Sequence, residues 1–342
     1  TQPSVSRLAR DRAGQVETAT AWDELRRRLR AEQQQRGELA AVHVAPASSA
    51  DVPDERQARL VMLGPEHPHT PRTDDSPARL AAQEMLAQRG SSPRLYQNML
   101  LFLAPDGARL AELEEAIQQY LAWKSIYDER EILNLDKFQE SQAKTKRDDA
   151  DKTVADRIKE TYIWLLVPEQ PDPRQPDLLW QENRLQVQES PVKQASRKLV
   201  NDELLITQFS PIRVKLELDK FNLWQGADHL NLKQLWEYLA RYPYLSRLRD
   251  EQVLLNAINQ GVGQLTWHEF FAYAGGWDET QQRYVGLIAG QLTQAALDGQ
   301  SVVVTAAAAQ RQLQQDETKR QQAAVTGPET PPPGSTATAP TG

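Results

Sequence analysis

The chain has 342 residues, a formal net charge of −7 at pH 7 and no cysteine. The length admits two domains and a sizeable core. The charge argues against wholesale nucleic-acid binding, though not against a local basic patch, and the lack of cysteine excludes disulfides, thiolate metal sites and thiol nucleophiles.

No apolar run approaches the ~20 residues of a membrane helix, and no basic-then-apolar signal opens the chain. A soluble cytoplasmic protein with no membrane partner is the expectation. Because the sequence begins with Thr1, it is expected to be the C-terminal part of something longer.

Residues 1–36 form a lead-in: a loose stretch to Ala19, then a helix opened by Thr20 and Asp23 as a capping box, with Trp22, Leu25 and Leu29 as its stripe. Arg26, Arg27, Arg28 and Arg30 flank that stripe and fit a solvated face better than a phosphate site. Ala41 to Ala45 and Arg59 to Leu63 are predicted strands. Ser76, Pro77 and Gly90 punctuate the next helix as cap, first position and stop.

The stretch from Ser91 to Ile126 organises the first half. Met99 to Ala104 is a continuous apolar run that stops at Pro105-Asp106-Gly107, which suits a strand buried on both faces. Asp106 is placed to cap the helix that carries Leu110, Leu113, Ile117, Tyr120 and Leu121. Strand, helix, strand, helix is the order of a doubly wound α/β layer, here assigned to 37–190. A long charged helix over Asp136 to Thr161 and a second buried strand at Tyr162 to Val167 complete it, with a further strand near Leu178 to Val187.

Residues 191–228 read as a connecting segment. In it Pro191 to Leu199 and Asp202 to Phe209 are predicted short helices, and Ile212, Val214, Leu216 and Leu218 alternate as a strand does. Residues 229–305 form three short helices (Lys233 to Tyr242, one around Leu245 and Leu248, Glu251 to Gln260) and a hairpin, Phe270 to Ala274 against Arg283 to Leu287. That is the order of a winged helix-turn-helix. Its third helix has no lysine or arginine. Phosphate anchors could come only from Lys233, Arg241, Arg247, Arg249 and Arg283. Residues 306–342 read as a disordered tail.

Chemistry is sparse. No Gly-Lys pair exists, so no P-loop lies within the chain. Glu66, His67 and His69 have metal-like spacing, but a proline-rich loop is the preferred reading; Trp267-His268-Glu269 reads as a polar turn, and no Ser-His-Asp grouping is suggested by spacing. Arg89 and Arg94 stand where a helix leads into a buried strand. Ring ATPases hold an arginine finger in such a place, while an arginine complementing a helix C-terminus is the simpler account.

Arg59 to His69, Arg89-Gly90 with Pro93-Arg94, Asn98 to Asp106, Tyr120 to Lys124, Glu160 to Pro168 and Lys233 to Trp236 together resemble one family. It is the large ATP-binding proteins of unknown function from prokaryotic defence islands, neighbours of DNA methyltransferases and helicases in anti-phage gene clusters. The resemblance spans roughly Gly37 to Thr305. It implies an AAA+-like ATPase whose Walker motifs, ATP and Mg²⁺ lie mostly in an N-terminal half outside this chain. It also implies a methyltransferase or helicase partner, possible contact with duplex DNA, and a role for Arg89 or Arg94 as the finger. The family has a proline expected near Ser246, where this chain has Pro243. A nucleic-acid-binding module and a protein-interaction scaffold without catalysis are the competing functions.

Overall fold

A computed structural model describes residues 4–186 and 188–327. In chain order the elements are α1 (Val5–Gln15), α2 (Thr18–Leu29), β1 (Ala41–Val44), β2 (Arg59–Met62), α3 (Pro77–Ala87), β3 (Gln88–Arg89), β4 (Ser92–Pro93), β5 (Leu100–Ala104), α4 (Leu110–Asp128), α5 (Lys137–Thr161), β6 (Trp164–Glu169) and β7 (Leu179–Arg184). After them come α6 (Pro191–Asn201), α7 (Pro211–Lys220), β8 (His229–Asn231), α8 (Leu232–Arg241), α9 (Glu251–Gly263), β9 (Phe271–Ala274), β10 (Gly276–Asp278), β11 (Arg283–Val285), β12 (Val302–Thr305) and α10 (Ala306–Val325). The chain divides into two compact units, Thr1–Phe209 with Leu235–Leu254, and Ser210–Gln234 with Leu255–Gly342. This differs from the sequence-based division, which places residues 229–305 together and 191–228 as a connection.

The first unit is built on a five-stranded sheet in the order β1-β2-β5-β6-β7. β1, β2 and β5 are parallel, and β6 and β7 are antiparallel to their neighbours. On one face Val61, Leu63, Leu100, Phe102, Ala104, Trp164 and Leu166 pack with Ala78, Ala82, Met85 and Leu86 of α3. On the other, Leu60, Met62, Leu101, Leu103, Leu165 and Val167 are also buried. Burial on both faces is why these strands read as unbroken apolar runs.

The expected all-parallel layer is corrected at β6. Two helices separate β5 from β6, as the sequence indicates, and this sets the strand's direction. α4 carries the chain back and α5, packed along it, brings it forward again. The end of α5 therefore returns to the carboxyl end of β5, where the Asp106 N–H donates to Thr161 O at 2.7 Å. A strand that starts there must run antiparallel.

Three other expectations give way. The lead-in contains α1, capped by Ser4, and α2 starts at Thr18 without a side-chain cap rather than at a Thr20 box. Residues 202–209 form turns rather than a helix, and Ile212 to Leu218 lie in α7, where Val214 and Leu218 are buried four apart while Ile212 and Leu216 are exposed. Ser210 accepts from the Arg213 N–H, and Pro211 occupies the first turn. Those helix-start signals outweigh a four-residue alternation. The tail is helical as far as Val325, capped by Thr305; the rest of the predicted disordered segment, residues 328–342, lies outside the described residues.

The connection 46–58 is folded around two guanidinium groups. Arg94 donates to Met85 O (2.7 Å), Pro53 O (2.8 Å), Val52 O (3.0 Å) and Ser49 O (3.4 Å). Arg59 donates to Pro53 O (2.6 Å), Gln57 O (3.1 Å) and Glu55 O (3.2 Å). Both side chains are buried, Arg94 3% and Arg59 0% exposed, and burial pushes Arg59 down to about 10. Asp54 accepts from the N–H groups of Leu95 (2.7 Å) and Tyr96 (3.1 Å), and Ser49 Oγ from Gly90 N–H (3.0 Å).

In the second unit β12 lies between β8 and β9, antiparallel to both. β10 and β11 form a separate hairpin. The predicted hairpin holds in part: Tyr273 pairs antiparallel with Ile288 and Gly275 N–H donates to Val285 O (2.9 Å), but Phe271–Ala274 also pairs along its length with β12, and the turn lies between Asp278 and Arg283. The predicted second helix around Leu245 and Leu248 is absent, because residues 242–250 form turns. Gln312 of α10 grips the hairpin backbone, accepting from Tyr284 N–H (2.7 Å) and donating to Tyr284 O (2.9 Å). α9 approaches Phe271 and Pro211 so closely that a Cβ on Gly261 would lie 2.9 and 3.0 Å from them.

Replacing Arg94 with Met should cost about 3 kcal/mol or more, since several buried carbonyls lose their donor together. Arg94→Lys should recover little, because one ammonium cannot span them. Arg89→Ala, at an exposed site, should change stability by no more than about 0.5 kcal/mol. Urea denaturation of the three variants checks this ordering.

Candidate functional site

In parallel sheets ligands bind beyond the carboxyl ends of the strands. Here that end carries the β2–α3 loop from Leu63 to Ser76 and the β5–α4 turn at Asp106. Asp106 caps the turn into α4, its carboxylate accepting from Ala108 N–H at 3.2 Å, as the sequence indicates. His69 N–H donates to Pro105 O and Gly107 N–H to His69 O, so the two loops pair. Tyr162 donates to Leu63 O at 2.8 Å from full burial, which drives its phenol pKa far up. A groove of about 400 Å³ opens here, lined by Ser48, Ser49, His67, Pro77, Leu80 and Glu84.

His69 is buried, with Nδ1 2.7 Å from Ser76 Oγ and Nε2 2.6 Å from Glu182 Oε2. Ser76 Oγ already accepts from Arg79 N–H as the cap of α3. Its proton is therefore free for Nδ1, which leaves Nε2–H to donate to Glu182. Glu182 also accepts from Arg72 N–H at 2.9 Å; although burial raises its carboxyl pKa, the His69 bond and the other donors hold the net value below the usual range. Hydroxyl, imidazole and carboxylate in a row have the composition of a nucleophilic triad. Ser76 is only 3% exposed and spends its oxygen on the helix cap, so the row is a clamp. Spacing gives no sign of it, because Glu182 arrives from a distant strand.

The metal-like spacing of Glu66, His67 and His69 does not become a centre. His69 turns inward, Glu66 pairs with Arg26 at 3.1 Å, and no group of three or more histidine or acidic side chains is gathered among the described residues. The α2 arginines are paired: Arg26 with Asp23 and Glu66, Arg27 with Glu24, and Arg28 with Glu24 and Asp151.

The two finger candidates separate. Arg94 is withdrawn as a finger, since its guanidinium faces carbonyls inside the fold. Arg89 is exposed beside the left-handed Gly90 (φ 60°), in the hairpin where it pairs with Ser92. It has no ion partner among the described residues.

The five proposed phosphate anchors also separate. Arg247 is buried and donates to Asn98 O (3.0 Å), Leu204 O (2.9 Å) and Pro168 O (2.9 Å); burial pushes it down to about 10. It is a structural residue and is withdrawn. Arg249 pairs with Glu38 (2.6 Å) and Asp250 (3.1 Å). Arg283 makes a two-pronged pair with Asp316, both contacts 3.1 Å. Arg241 stacks over Tyr242, 5.3 Å from its ring. Lys233 has no ion partner among the described residues.

The chain is thus a mixed α/β unit followed by a unit built on a three-stranded antiparallel sheet, with no helix among the described residues long and apolar enough to cross a membrane. No protein-family profile, curated protein or solved structure matches it.

Within the second unit His229 Nδ1 lies 2.9 Å from Tyr284 Oη, with both rings against Trp277. Burial lowers the His229 pKa, opposed by Asp228 and Glu279. Between the lowered value and the ordinary one the unfolded chain holds the proton and the folded chain does not. Stability should therefore rise with pH through that window and fall as pH drops below about 6.5. A melting-temperature series from pH 7.5 to 5 should show this slope, and His229→Asn should flatten it.

Proposed function

We propose that the chain is the regulatory and coupling part of a larger ATPase of the kind its residues resemble. It supplies Arg89 to a nucleotide held by another segment or subunit, and docks a partner through a winged-helix module. The observation that carries the reading is the mounting of Arg89. A finger must be cationic, exposed and rigidly held. Arg89 is cationic and exposed, and its backbone sits on a hairpin pinned by the Ser49–Gly90 bond and by the buried Arg94. The sequence has no Gly-Lys pair, and no group of three or more histidine or acidic side chains is gathered among the described residues. ATP and Mg²⁺ would belong to the N-terminal half, and the part left to this chain is the placing of one cation.

The docking role rests on chain order and on the second unit's sheet, since Leu235–Leu254, most of α8 and the start of α9, belongs to the first unit. The order α7, β8, α8, α9, β9, hairpin, β12, with β12 between β8 and β9, supports a winged-helix reading. It is reached with α7, not residues 243–250, as the first of the three helices. A protein surface suits this module better than duplex DNA. α9 carries Glu251 and no lysine or arginine, and the hairpin's Arg283 is neutralised by Asp316. With α9 and the hairpin offering no unpaired cation, few of the phosphate contacts that supply most DNA affinity remain, those of Lys233 and Arg241 on α8. A DNA methyltransferase or helicase of the same system would be the partner.

In the full-length assembly Arg89→Ala should cut ATP turnover about 10³-fold while leaving the melting temperature unchanged. Unchanged turnover would remove the finger. The chain should show no binding to duplex DNA even at low salt, checked by fluorescence anisotropy; binding that weakens with Lys233→Glu would restore the nucleic-acid reading.

A further inference from the structure

The two edges of the five-stranded sheet differ. At β1 the segment Arg30–Gln35 packs alongside, and the Gln33 amide donates to Val42 O. Among the described residues β7 pairs only with β6. Which of its backbone groups are free follows from the ladder. Leu185 N–H donates to Ile163 O at 2.7 Å, and bonded and non-bonded pairs alternate along an antiparallel ladder. Leu179, Gln181 and Asn183 therefore turn their N–H and C=O groups to β6. Trp180, Glu182 and Arg184 turn theirs outward. Pro168 agrees with this phase, because it stands opposite Trp180 at a non-bonded pair and interrupts no bond to β7.

The outward groups of Trp180, Glu182 and Arg184 have no hydrogen-bond partner among the described residues. β7 has no proline, no lysine and a regular six-residue register; its charges are Arg184 and Glu182, whose carboxylate keeps its charge while accepting from His69 and the Arg72 N–H. A row of unpaired backbone donors and acceptors is completed by another strand, and the side chains indicate which one. Glu182 and Arg184 lie two apart, on the same face. If a second β7 runs antiparallel about a twofold axis at Asn183, each Glu182 falls opposite an Arg184 and outward groups meet outward groups. Opposite charges at directly facing positions favour that register. Centring the axis on Glu182 instead would set carboxylate against carboxylate.

We propose that β7 is a self-association edge: two copies of this chain join their sheets antiparallel through β7, centred on Asn183. The interface is short, so the dimer is concentration-dependent rather than obligate. This inference is independent of the ATPase reading and survives its failure.

The chain has no cysteine, so one introduced thiol can bridge only to itself. Asn183 would form a non-bonded pair with its twin, where Cα atoms approach about 4.5 Å, within disulfide range. Asn183→Cys should cross-link into a dimer under mild oxidation, at protein concentrations where sedimentation shows reversible dimer. Gln181→Cys should not, because its twin lies four residues further along. Arg184→Pro removes one outward N–H, a substitution an edge strand tolerates, and should leave the circular dichroism unchanged but the protein monomeric. Arg184→Glu should weaken the dimer at least tenfold. A monomer at every concentration, cross-linking through position 181 in place of 183, or a dimer that persists in Arg184→Pro would each overturn the proposal.

Discussion

Buried guanidinium groups that donate to backbone carbonyls are the constraint on which the first unit depends. A segment with irregular backbone cannot be packed against a sheet unless its polar groups are satisfied. Residues 46–58 have little secondary structure, yet Val52 and Ala58 are fully buried. Arg94 and Arg59 resolve the conflict by reaching in from neighbouring elements, and both donate to Pro53 O. Arg247 does the same for a second set of carbonyls, those of Asn98, Pro168 and Leu204, which belong to three separate stretches of chain. Arginine suits this task better than lysine, because a planar fork with five donors serves several acceptors from one position.

The same fact explains what sequence can tell about the site. An arginine near a strand end has the same one-dimensional appearance whether it points to solvent or into the core. Arg89 and Arg94 are five residues apart and are indistinguishable by position. What separates them is Gly90, whose left-handed conformation turns the chain between them and leaves one on each side of a hairpin. The clamp at His69 is hidden for a different reason. Ser76 is legible as a cap and His69 as a loop residue, but the third member, Glu182, comes from β7, which no local pattern ties to that loop.

Elements with strong periodicity or clean punctuation are legible. β2, β5 and β6 announce themselves by apolar runs and α3 by Ser76 and Pro77, whereas the reciprocal cap of Asp136 with Gln139 that starts α5 is a structural finding. What is not legible is direction and pairing. The antiparallel sense of β6 follows from α5 lying along α4, a tertiary fact. The ladder of β9 with β12 joins strands distant in sequence, which no local pattern announces. α7 escapes a sequence reading because a short helix with apolar residues at every second position also satisfies the strand pattern.

The helical pair α4–α5 has a consequence for how the sheet assembles. β1, β2 and β5 are joined by comparatively short crossings, but β5 meets β6 only after the chain has travelled from Pro105 to Ile163. Closing so long a loop from an unstructured chain carries a large entropic penalty. Helices form from local contacts in microseconds or less, and once α4 and α5 lie against each other the two ends of that loop stand side by side. A β5–β6 ladder formed after the helical pair therefore closes a much shorter effective loop than one formed before it. β6 and β7, joined by residues 170–178 alone, need no such help, because their pairing is local in the sequence.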